Sequence, residues 1–335
     1  MGMAPVLAWP LARVWSVGAR ARAALYQGGF LKRYRLGKPV VSVGNLSAGG
    51  TGKTPFVLWL WRELRARGLS ASVLTRGYRR QERSEPLVFE GPENSGRAGD
   101  EVRLLLDAGV RPVGVAARRE LAGVAVEDRS TVDLHLLDDG FQHLSLLRDL
   151  DIVLLDCTRP PWEYDLLPAG RLREPLSALD RADIVVLTRA YPWTQADELE
   201  RLVRENNRHA LLARSVTEVT GLEKISGPVF AFAGIGNPKA FFDDLGRAGQ
   251  RGGWEVVGTL AFPDHHRYTP NDLERVTEKA RKAAAAYLVT TEKDSMNLPE
   301  GAHDLAPLQL GVAGLELLVE PGSQVIDRVV RVVKR

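Results

Sequence analysis

The sequence predicts an α/β protein with a mostly parallel sheet flanked by helices, a smaller C-terminal α/β domain and an N-terminal amphipathic helix. Three observations carry this. The apolar run Pro39–Val43 leads into a glycine loop ending Gly52-Lys53-Thr54, and Phe56–Trp61 then reads as a helix. Continuous apolar runs at 150–156 and 182–188 are those of parallel strands covered on both faces. After a break around 215–225, a second series of strand and helix patterns begins. Strand, glycine loop, Lys-Thr and helix make the first part P-loop NTPase-like. A chain of 335 residues fits two domains. The boundaries read as 1–30 for the helix, 31–218 for the P-loop domain and 219–335 for the smaller one.

Residues 3–26 have helical periodicity. Leu7, Leu11, Val14, Trp15, Gly18 and Leu25 share one face, with Arg13, Ser16 and Arg20 opposite. Arg22 falls within the apolar face and Trp9 on the polar one. Residues 1–62 contain nine Lys or Arg and no Asp or Glu, so the remainder carries −6 against a total of +3. Such asymmetry points to an anionic surface, membrane or nucleic acid. The periodicity fits an in-plane membrane helix, and equally a helix packed on the core. No apolar run reaches the ~18 residues needed to span a bilayer, and Pro10 and Arg13 interrupt the one stretch resembling a signal peptide. The single cysteine, Cys157, excludes an internal disulfide framework and fits a reducing compartment.

The glycine loop is Ser47-Ala48-Gly49-Gly50-Thr51-Gly52-Lys53-Thr54. Its backbone amides and the adjoining helix N-terminus suit a triphosphate. Lys53 would reach the β- and γ-phosphates, and the Thr54 hydroxyl would take Mg²⁺. Ser47 stands where the usual pattern has glycine. Next comes the strand Ser70–Thr75, which ends in Arg76-Gly77-Tyr78-Arg79-Arg80, a basic set suited to an anionic substrate or simply a solvated loop. Residues 81–99 read as a long loop or a hairpin around Pro86–Glu90. Asp100 opens a helical pattern, either as an N-cap or as a general base toward a hydroxyl. Val113–Val115 is a brief strand followed by Arg118-Arg119.

The strand at 131–137 ends in Asp138-Asp139-Gly140-Phe141-Gln142-His143. An apolar strand ending in Asp is the companion of a phosphate loop, where the acid organises Mg²⁺. His143 is a substrate contact or a structural histidine. In 167–175, the arginines at 171 and 173 could guard the nucleotide or substrate. The smaller domain offers Gly234-Ile235-Gly236-Asn237-Pro238, a tight strand–helix turn, and Phe262-Pro263-Asp264-His265-His266. Two adjacent histidines do not easily face one metal, so an Asp–His pair for proton chemistry is the better reading. Thr269 or Asn271 caps the next helix. Strand 286–291 runs into Glu292-Lys293-Asp294, and a strand at 315–319 with a helix at 323–333 closes the chain.

The ordered set Val43–Ser47 with Gly49–Pro55, Thr75–Tyr78, Gly99-Asp100-Glu101, Asp138–His143, Phe262-x-Asp264-His265 and Thr291–Asp294 resembles the tetraacyldisaccharide 4′-kinases of lipid A synthesis. The resemblance runs from about residue 4 to the end. It implies an ATP- and Mg²⁺-dependent kinase acting on the 4′-hydroxyl of an acylated disaccharide 1-phosphate lipid. The implied location is peripheral, on the cytoplasmic face of the bacterial inner membrane, with the N-terminal helix on the anionic surface and no nucleic acid or obligate protein partner. By the same resemblance Asp100 and His265 (with His266 as second candidate) deprotonate the hydroxyl. Lys53 and Thr54 hold phosphates and metal, Asp138 and Asp139 surround Mg²⁺ and the reacting centre, and Arg76, Tyr78, Arg119 and His143 touch substrate. The alternatives are a soluble P-loop kinase of a small metabolite and a nucleotide-switch NTPase. The switch loop would ordinarily carry Lys where this chain has Ala48.

Overall fold

The computed structural model describes residues 5–47, 51–77, 86–91, 100–158, 165–235, 238–263, 266–299 and 307–334. The chain forms two compact units, Met1–Val216 with Val319–Arg335, and Thr217–Leu318. The elements in order begin with α1 (Pro5–Gln27), β1 (Val40–Asn45), α2 (Lys53–Ala66), β2 (Ala71–Thr75) and β3 (Leu87–Phe89). Then come α3 (Asp100–Asp107), β4 (Val113–Val115), α4 (Arg119–Glu127), β5 (Leu134–Asp138), β6 (Leu150–Asp156), β7 (Ile184–Thr188) and α5 (Ala196–Asn206). The chain continues through β8 (Leu211–Thr220), β9 (Val229–Ala233), α6 (Pro238–Gly252), β10 (Val256–Ala261) and α7 (Pro270–Lys282). It finishes with β11 (Tyr287–Thr291), α8 (Glu292–Ser295), β12 (Gln309–Glu320) and α9 (Gly322–Val333).

In the first unit the strands lie in the order β8-β7-β6-β1-β5-β2-β4-β3. All neighbours are parallel except β3 on β4. β1 is central, with Val41 paired to Leu136 on one side and Leu150 on the other. Every position of β1, β5, β6 and β7 is buried. That is why these strands read as unbroken apolar runs rather than alternating ones. The carboxyl ends of β1, β5, β6 and β7 therefore share one edge, the ligand-binding side of such a sheet. Among the described residues, Leu87–Phe89 of β3 pairs antiparallel with Val115–Val113 and closes the sheet edge.

α2 buries Phe56, Val57, Leu60, Trp61 and Leu64, a stripe of helical period. Each such burial stabilises by about 1.5–3 kcal/mol. Trp61 Nε1 also donates to the carbonyl of Ala71 at 2.9 Å, tying α2 to the start of β2. α9 buries Val325, Ile326, Val329 and Val332 and packs against α2. Sequence order groups residues 219–335 together, whereas the C-terminal helix sits in the first unit. Its apolar stripe names no partner, so order along the chain could not assign it. β8 is one strand of ten residues, half-buried and carrying Thr217, Glu218 and Thr220. That polar content makes it look like short pieces.

The second unit orders its strands β10-β9-β11-β12, all parallel. β9 alternates between two cores. Val229 and Ala231 join Phe241, Leu245 and Trp254, while Phe230 and Phe232 join Phe262, Tyr268, Val276 and Leu288. Thr269 caps α7 in a reciprocal box with Asp272.

β1 and the turn after β5 approach closely at Gly44. A Cβ there would lie 2.6 Å from Phe141 Cβ and 2.7 Å from its backbone nitrogen. A backbone atom cannot rotate away, so Gly44→Ala is expected to lower unfolding free energy by about 1–3 kcal/mol, read in urea titration. An unchanged midpoint would contradict the packing described.

Candidate active site

The glycine loop is held from both sides. Asn45 Nδ2 donates to Thr51 Oγ1 at 2.8 Å, and Thr188 Oγ1, at the end of β7, donates to the carbonyl of Thr51 at 3.1 Å. Gly52 adopts φ 81° and opens α2 without a side chain to cap it. The first amides of α2 and the positive end of its dipole are thereby left for an anion. Lys53 and Thr54 form the first turn of α2. Ser47 makes an antiparallel bridge with Leu172, an extended position that needs no glycine. Ala48, Gly49 and Gly50 lie outside the described residues.

The same bridge brings in a residue 34 positions beyond the acid pair. Arg173 N donates to the Leu46 carbonyl at 2.7 Å. Its Nη1 reaches Asp139 Oδ2 at 3.1 Å and Oδ1 at 3.3 Å. Lys53 Nζ stands 3.5 Å from Asp139 Oδ1. Asp138 ends β5 buried, and Asp139 turns away from the strand with φ 51°. Burial alone would raise the Asp139 pKa. The charges of Lys53 and then Arg173 outweigh it, and the carboxyl titrates below its ordinary value. Gln142 Nε2 donates to the Asn45 carbonyl at 2.9 Å, fastening the turn after β5 to the exit of β1.

Arg119 opens α4 only 7% exposed, with Nη1 on the Ala117 carbonyl at 2.8 Å. Its Nε has no hydrogen-bond partner among the described residues. Burial and the charge of Arg76 lower its pKa, against the pull of Asp139 and Asp138. Arg76 and the two aspartates therefore each lie within electrostatic reach of Arg119. His143 is anchored: Nε2 lies 3.2 Å from Glu120 Oε2 and 3.3 Å from Ser145 Oγ. Burial, then Arg119, pushes its pKa down to about 4, so the ring is neutral at pH 7. Glu120 also holds Arg118 Nε at 2.9 Å.

Asp100 begins α3, but its side chain falls outside the described residues, as do Tyr78 and His265. His266 is engaged elsewhere. Its Nε2 lies 3.1 Å from Asp272 Oδ2, a member of the α7 capping box, and its ring stacks on Phe262 at 4.7 Å.

Beside the acid pair, a cavity of about 690 Å³ opens between α1 and the turn after β5. Leu11, Val14, Trp15, Leu144 and Pro168 supply its apolar walls, and Arg173 and Gln142 its polar end. Trp15 Nε1 donates to the Arg173 carbonyl at 2.8 Å.

Mg²⁺ takes one or two carboxylates, with phosphate and water completing its octahedron. The hard-oxygen donors Asp138, Asp139 and Thr54 fit that pattern, although Asp139 already faces two cations. Among the described residues no group of three or more His, Cys, Asp or Glu could hold a metal by itself.

Asn45 supports the loop through the Thr51 hydroxyl, and Thr188 and Trp15 act on backbone carbonyls; only the fold reveals those contacts.

A family model described as tetraacyldisaccharide-1-P 4′-kinase matches residues 4–331. A tetraacyldisaccharide 4′-kinase of Koribacter versatilis (strain Ellin345) is 39% identical over 335 residues, covering 97% of this chain and 98% of the relative. Another, of Anaeromyxobacter sp. (strain Fw109-5), is 41% identical over 310 residues, covering 85% and 80%. The crystal structure of LpxK from Aquifex aeolicus in complex with ATP is similar with TM-score 0.69 and 27% identity, over 97% of this chain and 98% of that one.

Proposed function

The chain belongs to the tetraacyldisaccharide 4′-kinase family, and from that premise we infer how its residues move the γ-phosphoryl group of ATP to the 4′-hydroxyl of an acylated disaccharide 1-phosphate. It is a phosphotransferase with an alcohol acceptor, working in lipid A biosynthesis. One observation carries the reading of the site. Arg173 pairs with Asp139 beside Lys53 and also lines the apolar cavity under α1. A charged transfer centre and a space for hydrocarbon thus meet at one residue.

Phosphoryl transfer asks the protein for position and charge neutralisation more than for covalent chemistry. The amides at the start of α2 cradle the triphosphate, and Lys53 reaches toward the γ-phosphoryl group. Thr54 and Asp138 would hold Mg²⁺, with Asp139 beside them, and the ion would supply charge neutralisation on the phosphates. Asp139 holds Lys53 and Arg173 at the reacting centre. Asp100, with His265 as its partner, takes the proton of the 4′-hydroxyl. Arg76, Tyr78 and Arg119 engage the anionic substrate, and His143 braces the turn that carries the acid pair.

The cavity takes acyl chain. Leu11, Val14 and Trp15 are exposed on α1, among arginines that face anionic head groups. Among the described residues no helix is long and apolar enough to cross a membrane. The helix rests on the cytoplasmic face of the inner membrane, and residues 31–218, joined by the C-terminal helix, form the kinase domain.

The test is incubation with γ-labelled ATP, Mg²⁺ and a detergent-dispersed acylated disaccharide phosphate. Label is expected in the lipid; label only in free phosphate would sink the reading. Val14→Asp, which puts a charge on the cavity wall, is expected to raise the lipid KM by roughly tenfold while leaving the ATP KM unchanged. Equal KM values for wild type and variant would remove the cavity from the lipid path.

A further inference from the structure

α4 packs on β2, β3 and β4, and most of what it meets there is apolar. Its Ala122 and Val126 join Leu36, Val40, Leu74 and Leu137. Beside this cluster runs a line of three polar side chains. Ser72 Oγ lies 2.6 Å from His135 Nδ1, and His135 Nε2 lies 3.1 Å from Glu127 Oε1. Serine, histidine and carboxylate is the order of a hydrolytic triad, but Ser72 and His135 are wholly buried, with no surface for a substrate to reach. A buried polar array costs desolvation and returns directional bonds. Its use here is to fix geometry.

The bonds have a definite direction. Burial would raise the Glu127 pKa. Hydrogen bonds from His135 and from the amides of Lys38 at 2.7 Å and Gly37 at 3.1 Å outweigh it, and the carboxyl titrates below its ordinary value. Burial lowers the His135 pKa, so the ring is neutral at pH 7. An ionised carboxylate only accepts, so the ring proton sits on Nε2 and Ser72 donates to Nδ1. One carboxylate at the end of α4 thus gathers the approach to β1, through Gly37 and Lys38, with β5 and β2, through His135 and Ser72.

This clamp lies at the far end of α4 from the candidate active site. Arg119 opens the helix and Glu127 closes it, about 12 Å apart at the rise of an α-helix. Ala122, Gly123 and Val126 hold the helix down, so close that a Cβ on Gly123 would run into Leu36. Apolar contacts of this kind are non-directional and set height better than position along the axis. Hydrogen bonds to fixed strands set that position. A slip of one residue would carry Arg119 about 1.5 Å and turn its side chain by about 100°. Glu120 would move with it, and Glu120 holds His143 at 3.2 Å.

We propose that Glu127, through His135 and Ser72, is a positioning residue for Arg119, fixing α4 along its axis so that the guanidinium meets the anionic lipid. This rests on the reading of Arg119 as a substrate contact.

The experiment measures KM for lipid and for ATP in wild type, Glu127→Ala, Glu127→Asp and Glu127→Gln. Glutamine keeps the length of the arm and an oxygen that accepts from Lys38 and His135. Aspartate keeps the charge but is one methylene too short. Glu127→Ala and Glu127→Asp are expected to raise the lipid KM about tenfold, with the ATP KM unchanged and Glu127→Gln restoring most of the loss. The aspartate and glutamine variants give the answer even if alanine fails to fold. In an Arg119→Gln background Glu127→Asp should add nothing, because the two residues act as a unit. Where Arg119→Gln raises the lipid KM, the proposal is overturned by an unchanged lipid KM in Glu127→Asp, by better rescue from aspartate than from glutamine, or by additive losses. Where Arg119→Gln leaves the lipid KM unchanged, the substrate-contact reading falls instead, and NMR signals of the His143 ring test the clamp by itself. A shift in Glu127→Asp that reverses in Glu127→Gln supports it, and unmoved signals overturn it.

Discussion

Asp139→Asn is expected to lower kcat by about 10²- to 10³-fold, the scale of removing one preorganised charge from a transfer centre. Asparagine is the informative choice because Asp139 sits at φ 51°. Asn tolerates the left-handed region, whereas alanine would add about 1–2 kcal/mol of backbone strain. The asparagine variant therefore adds no backbone strain, and any fall in its melting temperature reports the lost ion pairs with Lys53 and Arg173. Lys53 and Arg173 would lose the carboxylate between them, and single-turnover kinetics at saturating ATP should register this in the chemical step.

The pH dependence has a definite sign. The Asp139 pKa is lowered in the folded protein. Its charged form is therefore complete above the ordinary carboxylate range and is lost only as pH falls through the lowered value. Its contribution is constant between about pH 5 and 8, and so is the deficit of the asparagine variant. His143, pushed to about 4, is likewise neutral over that window. A deficit that shrinks as the pH is lowered across this window would mean that Asp139 is protonated in the working enzyme.

Asp100→Ala is expected to cost about 10²–10⁴ in kcat, the range for a general base, with the ATP KM nearly unchanged. Nucleotide contacts belong to the loop and α2, whereas Asp100 opens α3. His265→Ala should fall by a similar factor. The double variant should be little worse than either single one, because groups that act as a unit are not additive. Loss of ATP binding in Asp100→Ala would instead make it a helix cap or a metal ligand, and additive losses would dissolve the dyad.

The phosphate loop and its strand were readable because their chemistry is local. Gly52, Lys53 and Thr54 must be neighbours to shape an anion site, and β5 is apolar up to Asp138 apart from the buried His135. The parallel sheet was legible for a similar reason, since strands buried on both faces admit few polar residues. Contacts set by topology escaped. Arg173 reaches Asp139 only because Leu172 bridges to Ser47. Thr188 supports the loop only because β7 ends beside it. The place of α9 depended on which apolar face it met. His143 was legible as a motif member, but its anchoring by Glu120 needed α4 to be set against the turn.

The bond from Trp15 to the Arg173 carbonyl has a consequence for how the two substrates communicate. The helix that would rest among lipids and the arginine that balances Asp139 share a fixed point 2.8 Å long. The position of one is not independent of the other. A displacement of α1 by hydrocarbon would pull on the backbone of Arg173, the residue whose guanidinium faces Asp139. Thermodynamic reciprocity then runs both ways: whatever factor lipid applies to ATP affinity, ATP applies to lipid affinity. A single indole hydrogen bond would be the mechanical route of such cooperativity, and Trp15→Phe is the substitution that would cut it while leaving an aromatic ring in place.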